Sequence, residues 1–187
     1  PIEILHIWKG GMSSHGGAIG VLLALLVISS KKYSYGFILA RALLVVPLSG
    51  VFLRMGNLMN SEIYGTATNM PWGFVFVNSS DVLKGMEEAV PRHPTQIYEA
   101  LCYLALFIAF VVYCLYKNKR NETLSNTFII GLFALVTFGS RFLIEFLKLP
   151  QVAFEQSLTL NMGQILSIPF IITGIVLLCL HYKAKRT

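Results

Sequence analysis

The stretch "GFILARALLVVPLSGVFLRMGNLMNSEIYG" (residues 36–65) changes character at Arg54. Up to Leu53 it is an apolar run close to the length a helix needs to cross a bilayer. The twelve residues that follow carry an arginine, two asparagines, a glutamate and two glycines. Such groups are costly in hydrocarbon, so the boundary is either a membrane exit or a site.

The whole chain has the same bias. It has 187 residues, of which 55% are hydrophobic and only 13% charged, with a mean hydropathy of +0.66. A soluble domain of this size needs more charge on its surface, so the chain is read as one all-α, polytopic integral membrane domain over residues 1–187. Five spans are expected: Met12–Ser30, Gly36–Leu53, Ile97–Tyr116, Thr127–Leu147 and Met162–Tyr182. Pro47 and Pro169 fall inside spans, where neighbouring helices can satisfy the freed carbonyls. A small extracytoplasmic cap is expected over 54–96. Within it, "PWGFVFV" (71–77) suits a short strand or hairpin, with Trp72 as an interfacial anchor.

Charge fixes the orientation. Lys31, Lys32, Lys117, Lys119, Arg120, Lys183, Lys185 and Arg186 lie in three short segments that alternating spans place on one side. By the positive-inside rule that side, with the C-terminus, is cytoplasmic. Residues 1–11, 54–96 and 148–161 then share the outer side. The net charge of +6 forms no basic stripe with interleaved aromatics, so nucleic acid is not an expected partner. Cys102, Cys114 and Cys179 lie in apolar runs without paired spacing and are read as packing residues, with no metal site. The chain opens at Pro1 without a signal-peptide pattern, and further sequence is expected upstream.

Polar residues gather at the outer side. "GGMSSHGGAIG" (10–20) rings His15 with glycines, and "RHPTQIYE" (92–99) opens the third span. Arg141 and Glu145, four residues apart, share a helix face and are expected to pair there. "MGQILSIP" (162–169) puts Gln164 and Ser167 into the first turns of the fifth span. Each has a plain alternative in helix capping, interfacial anchoring or helix packing. Their convergence on one membrane face points instead to a site for a phospholipid: Arg54 and Arg141, with Arg92 as a third, suit a phosphate. A histidine and several carboxylates are candidates for proton transfer.

In order, "WKGGMSSHGGAIG", "RMGNLMNSEIYG", "RHPTQIYE", "SRFLIEF" and "LNMGQILSIP" resemble the successive motifs of the bacterial prolipoprotein diacylglyceryl transferases. The resemblance implies an inner-membrane enzyme, usually of seven spans, so two spans are expected before Pro1. It implies transfer of the diacylglyceryl group of phosphatidylglycerol to the cysteine thiol of a prolipoprotein lipobox, forming a thioether and releasing glycerol-1-phosphate, without cofactor. It also implies that Arg54, Asn57, Asn60, Glu62 and Gly65 form the central motif. Arg141 and Glu145 stand for the late arginine and glutamate, His15 for the glycine-rich motif's histidine, and His93 and Glu99 for the fourth motif's polar positions. Leu58 and Ser61 stand where many members have phenylalanine and glycine. Lys148 and Gln151 stand near where many have arginine and aspartate.

On this reading Arg54, Arg141 and His15 are catalytic. The arginines hold the phosphate, and His15 takes the thiol proton, with His93 or Glu62 as alternative bases. Asn57, Asn60, Glu62, Gly65, Arg92, His93, Glu99, Glu145 and Gln164 bind substrate. The competing readings are a transport protein and a non-catalytic fragment or partner. The absence of an inverted repeat in the sequence argues against the first.

Overall fold

The computed structural model describes residues 14–29, 32–148 and 160–186. The expectations for residues 1–11 and most of 148–161 lie outside them. Among the described residues six longer helices carry the fold, α1 Ser14–Ile28, α2 Tyr35–Leu43, α3 Val46–Met59, α5 Thr95–Lys119, α6 Asn126–Ile144 and α7 Met162–Ala184, with a four-residue α4 Ser80–Leu83 between α3 and α5. Serine and asparagine start several of them. Ser34 accepts from Phe37 N, Ser125 from Phe128 N, and Asn161 forms a reciprocal capping box with Gln164.

Among the described residues, α5, α6 with its following turn, and α7 are long and apolar enough to cross a membrane. The expected second span is not one helix. Pro47 has no N–H for the carbonyl one turn earlier, and the chain bends by 44° between α2 and α3. Counted as one broken span, the pair brings the number to four. The expected first span is described as the 15 residues of α1, short of the roughly 20 a crossing needs. Large apolar side chains such as Leu101, Ile108 and Val112 on α5 and Ile172 and Val176 on α7 remain exposed, as lipid-facing surfaces require.

The most extensive helix contact is α6 on α7. It is made close by glycine: a Cβ on Gly174 would lie 2.7 Å from Leu135 N and 2.9 Å from the Gly131 carbonyl. A buried cluster of Ala40, Leu106, Phe110 and Ile129 joins α2, α5 and α6. Cys102 and Cys114 are half-buried, Cys179 is exposed, and all three are free thiols.

Between α3 and α5 the connector holds a two-stranded antiparallel ribbon, β1 Phe74–Val75 with β2 Pro91–Arg92, in the register Phe74↔Arg92 and Val75↔Pro91. The strand falls inside the expected 71–77, but its partner comes from just before α5. Tyr64 stacks on Phe76 at 4.9 Å between ring centroids, giving the connector its own small core. The connector is pinned to the end of α6 where Thr66 N donates to the Leu147 carbonyl at 2.8 Å. Gly65 is required there. A Cβ would meet that carbonyl oxygen at 2.5 Å and His93 Cβ at 2.8 Å.

Candidate functional site

The site grows from four buried charges on three elements. Arg54, near the end of α3, forms an ion pair through Nε with Glu99 Oε2 on α5. The other Glu99 oxygen lies 2.6 Å from Lys148 Nζ, and Lys148 also reaches Glu145 Oε2 at 3.2 Å. Glu99 is fully buried, and Arg54, Glu145 and Lys148 nearly so. Two positive and two negative groups therefore neutralise one another out of water, the condition under which buried charges are tolerated.

The expected Arg141–Glu145 pair is not what forms. Helix α6 ends at Ile144, and Glu145–Leu147 continues as a 3₁₀ turn. In that geometry residues three apart eclipse, so Glu145 faces Lys148 rather than Arg141. Gly163 allows the approach of α7, since a Cβ there would meet the Glu145 carboxyl carbon at 2.7 Å.

The central motif wraps this network in amides. Arg54 Nη1 donates to Asn57 Oδ1 at 3.3 Å, and Asn57 Nδ2 donates to Glu62 Oε1 at 2.7 Å. Asn60 Nδ2 donates to the same oxygen at 3.4 Å. The turn beyond is strained: Ser61 and Ile63 have φ of 53° and 58°. A positive φ is rare for a β-branched residue and persists only where its surroundings hold it. Here they do, because Gln96 Nε2 donates to the Glu62 carbonyl at 2.7 Å and Thr95 Oγ1 to the Ile63 carbonyl at 2.9 Å.

Over this turn lies a polar cavity of about 440 Å³, lined by Asn60, Ser61, Glu62, Tyr64, Asp81 and Lys148 among others. Lys148 thus belongs both to the cavity wall and to the charge network. At the cavity's Glu87 side, Arg92 is committed elsewhere: its Nη2 lies 3.0 Å from Glu87 Oε2, and its guanidinium sits 5.3 Å from the centroid of the Tyr64 ring. The Tyr64 hydroxyl bonds Glu87 at 3.0 Å and Ser79 at 3.1 Å. Burial, reinforced by Glu87, raises its pKa above the ordinary tyrosine range, although the Ser79 bond opposes this.

His93 is also turned away. Its Nδ1 lies 3.1 Å from the Tyr98 hydroxyl, which accepts from Trp72 Nε1 at 2.9 Å. That ring nitrogen is occupied by the tyrosine instead of facing the charge network. Gln164 caps α7, and its buried Nε2 has no hydrogen-bond partner among the described residues. Arg141 is half-buried on α6. His15 lies in the first turn of α1, and its side chain is outside the described residues.

The sequence model for prolipoprotein diacylglyceryl transferases matches residues 1–180. The chain belongs to this family. It is 41% identical to a phosphatidylglycerol–prolipoprotein diacylglyceryl transferase of Tolumonas auensis, over 99% of this chain and 68% of the relative. A protein of the same name from Porphyromonas gingivalis is 41% identical, over 100% of this chain and 68% of its own length. A third, from Protochlamydia amoebophila, is 42% identical, and the chain spans 49% of it.

Within this member of the prolipoprotein diacylglyceryl transferase family, two participants were not legible as site residues. Lys148 stood out in the sequence only as a replacement for an expected arginine, yet it bridges both buried glutamates. Its spacing of three from Glu145 was the available signal. Tyr103, buried on α5, carries no motif signal in the sequence. The Ser61 departure has a backbone consequence, because φ of 53° at that position is one that glycine adopts without strain.

Proposed function

We propose that the protein transfers the diacylglyceryl group of phosphatidylglycerol to the cysteine thiol of a prolipoprotein lipobox, as the names of its relatives describe for them. The observation that carries this reading is the buried Arg54–Glu99–Lys148–Glu145 network, which meets a polar cavity at one end of lipid-facing helices. The other end carries Lys117, Lys119, Arg120, Lys183 and Lys185, so the cavity end is extracytoplasmic in a bacterial inner membrane, the 60–94 connector is its cap, and the C-terminus is cytoplasmic.

In the reaction a base takes the thiol proton, since thiolate is the nucleophile. Sulfur attacks the glyceryl carbon, the carbon–oxygen bond to phosphate breaks, and glycerol-1-phosphate leaves. The phosphate begins as a diester with one negative charge and leaves as a monoester approaching two. Cations held ready at that point stabilise the transition state more than the ground state. Arg54 and Arg141 fill this role, and His15 is the base. Glu99 and Glu145 do not touch phosphate; they hold Arg54 and Lys148 in place. Asn60, Ser61 and Glu62 face the headgroup glycerol, whose hydroxyls suit a cavity flanked by carboxylates. Gln164 Nε2 is a further donor to substrate. Arg92 and His93 shape the cap, leaving Glu62 as the alternative base.

The test is thioether formation by the protein reconstituted with phosphatidylglycerol and a lipobox peptide. Arg54→Ala and Arg141→Ala should each lower kcat/KM by roughly a hundredfold or more, the scale of a lost charge-stabilising donor. Near-normal turnover in either would remove that arginine from the clamp, and retained turnover in His15→Ala would reassign the base. If the unaltered protein made no thioether where the Tolumonas auensis relative did, the functional reading itself would fail.

A further inference from the structure

Tyr103 is a buried hydroxyl for which the mechanism above has no use. It lies on α5 one helical turn after Glu99, while Gly50 lies on α3 one turn before Arg54. The Arg54–Glu99 ion pair joins the two helices at one level. Tyr103 joins them one turn further from the cavity: a Cβ on Gly50 would fall 2.8 Å from its Cδ2 and 3.3 Å from its Cε2. The ring therefore occupies the notch left by the glycine.

Side chains on an α-helix lean toward its N-terminus. The N-terminus of α5 is the cavity end, so the phenol oxygen is carried up toward Arg54. There it lies in the field of the Arg54–Glu99 pair, with Arg141 bearing on it electrostatically from α6. Arg54 is thus held by Glu99 at Nε and by Asn57 at Nη1, with the Tyr103 ring packed one turn below. A guanidinium has five N–H groups in a planar fork, and fixing several of them aims the rest.

We propose that Tyr103 is a positioning residue for Arg54, its ring seated in the Gly50 notch one turn below the Arg54–Glu99 pair and its hydroxyl leaning toward that pair, so that the guanidinium is aimed at the anion it shares with Arg141. The inference rests on the arginine-clamp reading above. Because the phosphate gains charge as it leaves, a misaimed clamp loses transition-state stabilisation more than ground-state binding.

The experiment compares Tyr103→Phe, Arg54→Lys and the double variant in phosphatidylglycerol proteoliposomes with a lipobox peptide, with kinetics expressed per folded molecule. Tyr103→Phe keeps the ring in the Gly50 notch and removes only the hydroxyl. The expected result is a fall in kcat of about tenfold with KM changed by less than about twofold, of the order of one hydrogen bond to a charged group. In the Arg54→Lys background the same change should cost less than about threefold, because the group it acts through is already altered. Gly50→Ala, which keeps the hydroxyl but displaces the ring, should lower kcat in the same sense. An unchanged kcat in Tyr103→Phe, or an equal loss in both backgrounds, overturns the inference about Tyr103 while leaving the clamp intact. Full activity in Arg54→Lys and Arg54→Ala would instead overturn the clamp beneath it.

Discussion

The two ends of the helical bundle contain the same constellation in opposite surroundings. At the cavity end Glu99 stands between Arg54 and Lys148. At the basic end Glu122 stands between Lys117, at 2.5 Å, and Arg120, at 3.7 Å. The Glu99 side chain is fully buried, whereas 42% of Glu122 is exposed. Each end also carries a left-handed turn, at Ser61 and Ile63 near the cavity and at Asn121 near Glu122. The basic end uses the residue that tolerates this conformation, while the cavity end uses a serine and an isoleucine. The difference teaches where the molecule accepts cost. Exposed ion pairs are nearly neutral in energy and buried ones demand compensation. The cavity end is costly in both respects, and that is where the fold fixes its polar groups most firmly.

The sharpest way to break the comparison is to neutralise the two carboxylates in turn. Glu99→Gln leaves Arg54 and Lys148 without their shared buried counter-charge and should lower unfolding stability by about 3–5 kcal/mol. Glu122→Gln should leave it unchanged within error. Denaturant unfolding in detergent micelles measures both. Equal effects would mean that burial of Glu99 is not what distinguishes the two ends.

The next effect concerns the contact that holds the connector over the network. Gly65→Ala would press a methyl to 2.5 Å from the Leu147 carbonyl, a backbone atom that cannot swing away. A loss of about 1–3 kcal/mol is expected, with reduced thioether formation because Lys148 follows directly after Leu147. Gly36→Ala, at a basic-end position with open space, should be tolerated. An unaffected Gly65→Ala would show that the connector can shift without disturbing the charges.

These contrasts also mark what the sequence could reveal. The apolar runs of α5, α6 and α7 were legible because lipid demands continuous hydrophobicity, which needs no partner to be recognised. The α2–α3 break was not, because Pro47 is compatible with both a straight and a bent span and packing decides. Arg54, Asn57, Asn60 and Glu62 were legible as a group through local spacing and the family motif. The partner of Glu145 was misread because a regular α-helix was assumed through residue 147, whereas the last turn tightens and exchanges Arg141 for Lys148. Tyr103 was hidden for another reason: its place depends on a glycine 53 positions earlier, a long-range contact without a local signature.

Backbone strain offers a smaller test. Ser61→Gly removes the steric cost of the left-handed conformation, offset in part by the entropy that glycine adds to the unfolded chain. A net gain of about 0.5–1 kcal/mol is expected. Asn121→Gly should gain less, since asparagine already adopts this conformation readily. Because Ser61 lines the cavity, a stabilised Ser61→Gly protein with altered KM for phosphatidylglycerol would connect the strained turn to headgroup binding.

The smallest effect lies at the basic end and depends on pH. The hydrogen bond from Lys117 holds the Glu122 carboxyl below its ordinary pKa, against a weaker opposing effect of burial. For a carboxylate depressed in the folded state, the stabilisation is fully present above the unfolded pKa of about 4.3 and is lost as pH falls through the lower folded value. Unfolding followed from pH 6 down to pH 3 should therefore show a slight acid-side decline that Glu122→Gln abolishes. Because the Glu122 carboxylate is open to solvent, 1 M salt, with a Debye length of about 3 Å, should flatten that decline in the unaltered protein as well. The buried Glu99 network is shielded from mobile ions, so the stability difference caused by Glu99→Gln should be nearly the same in low and high salt. A salt-sensitive Glu99 and a salt-insensitive Glu122 would reverse the assignment of buried and exposed charge on which the contrast between the two ends stands.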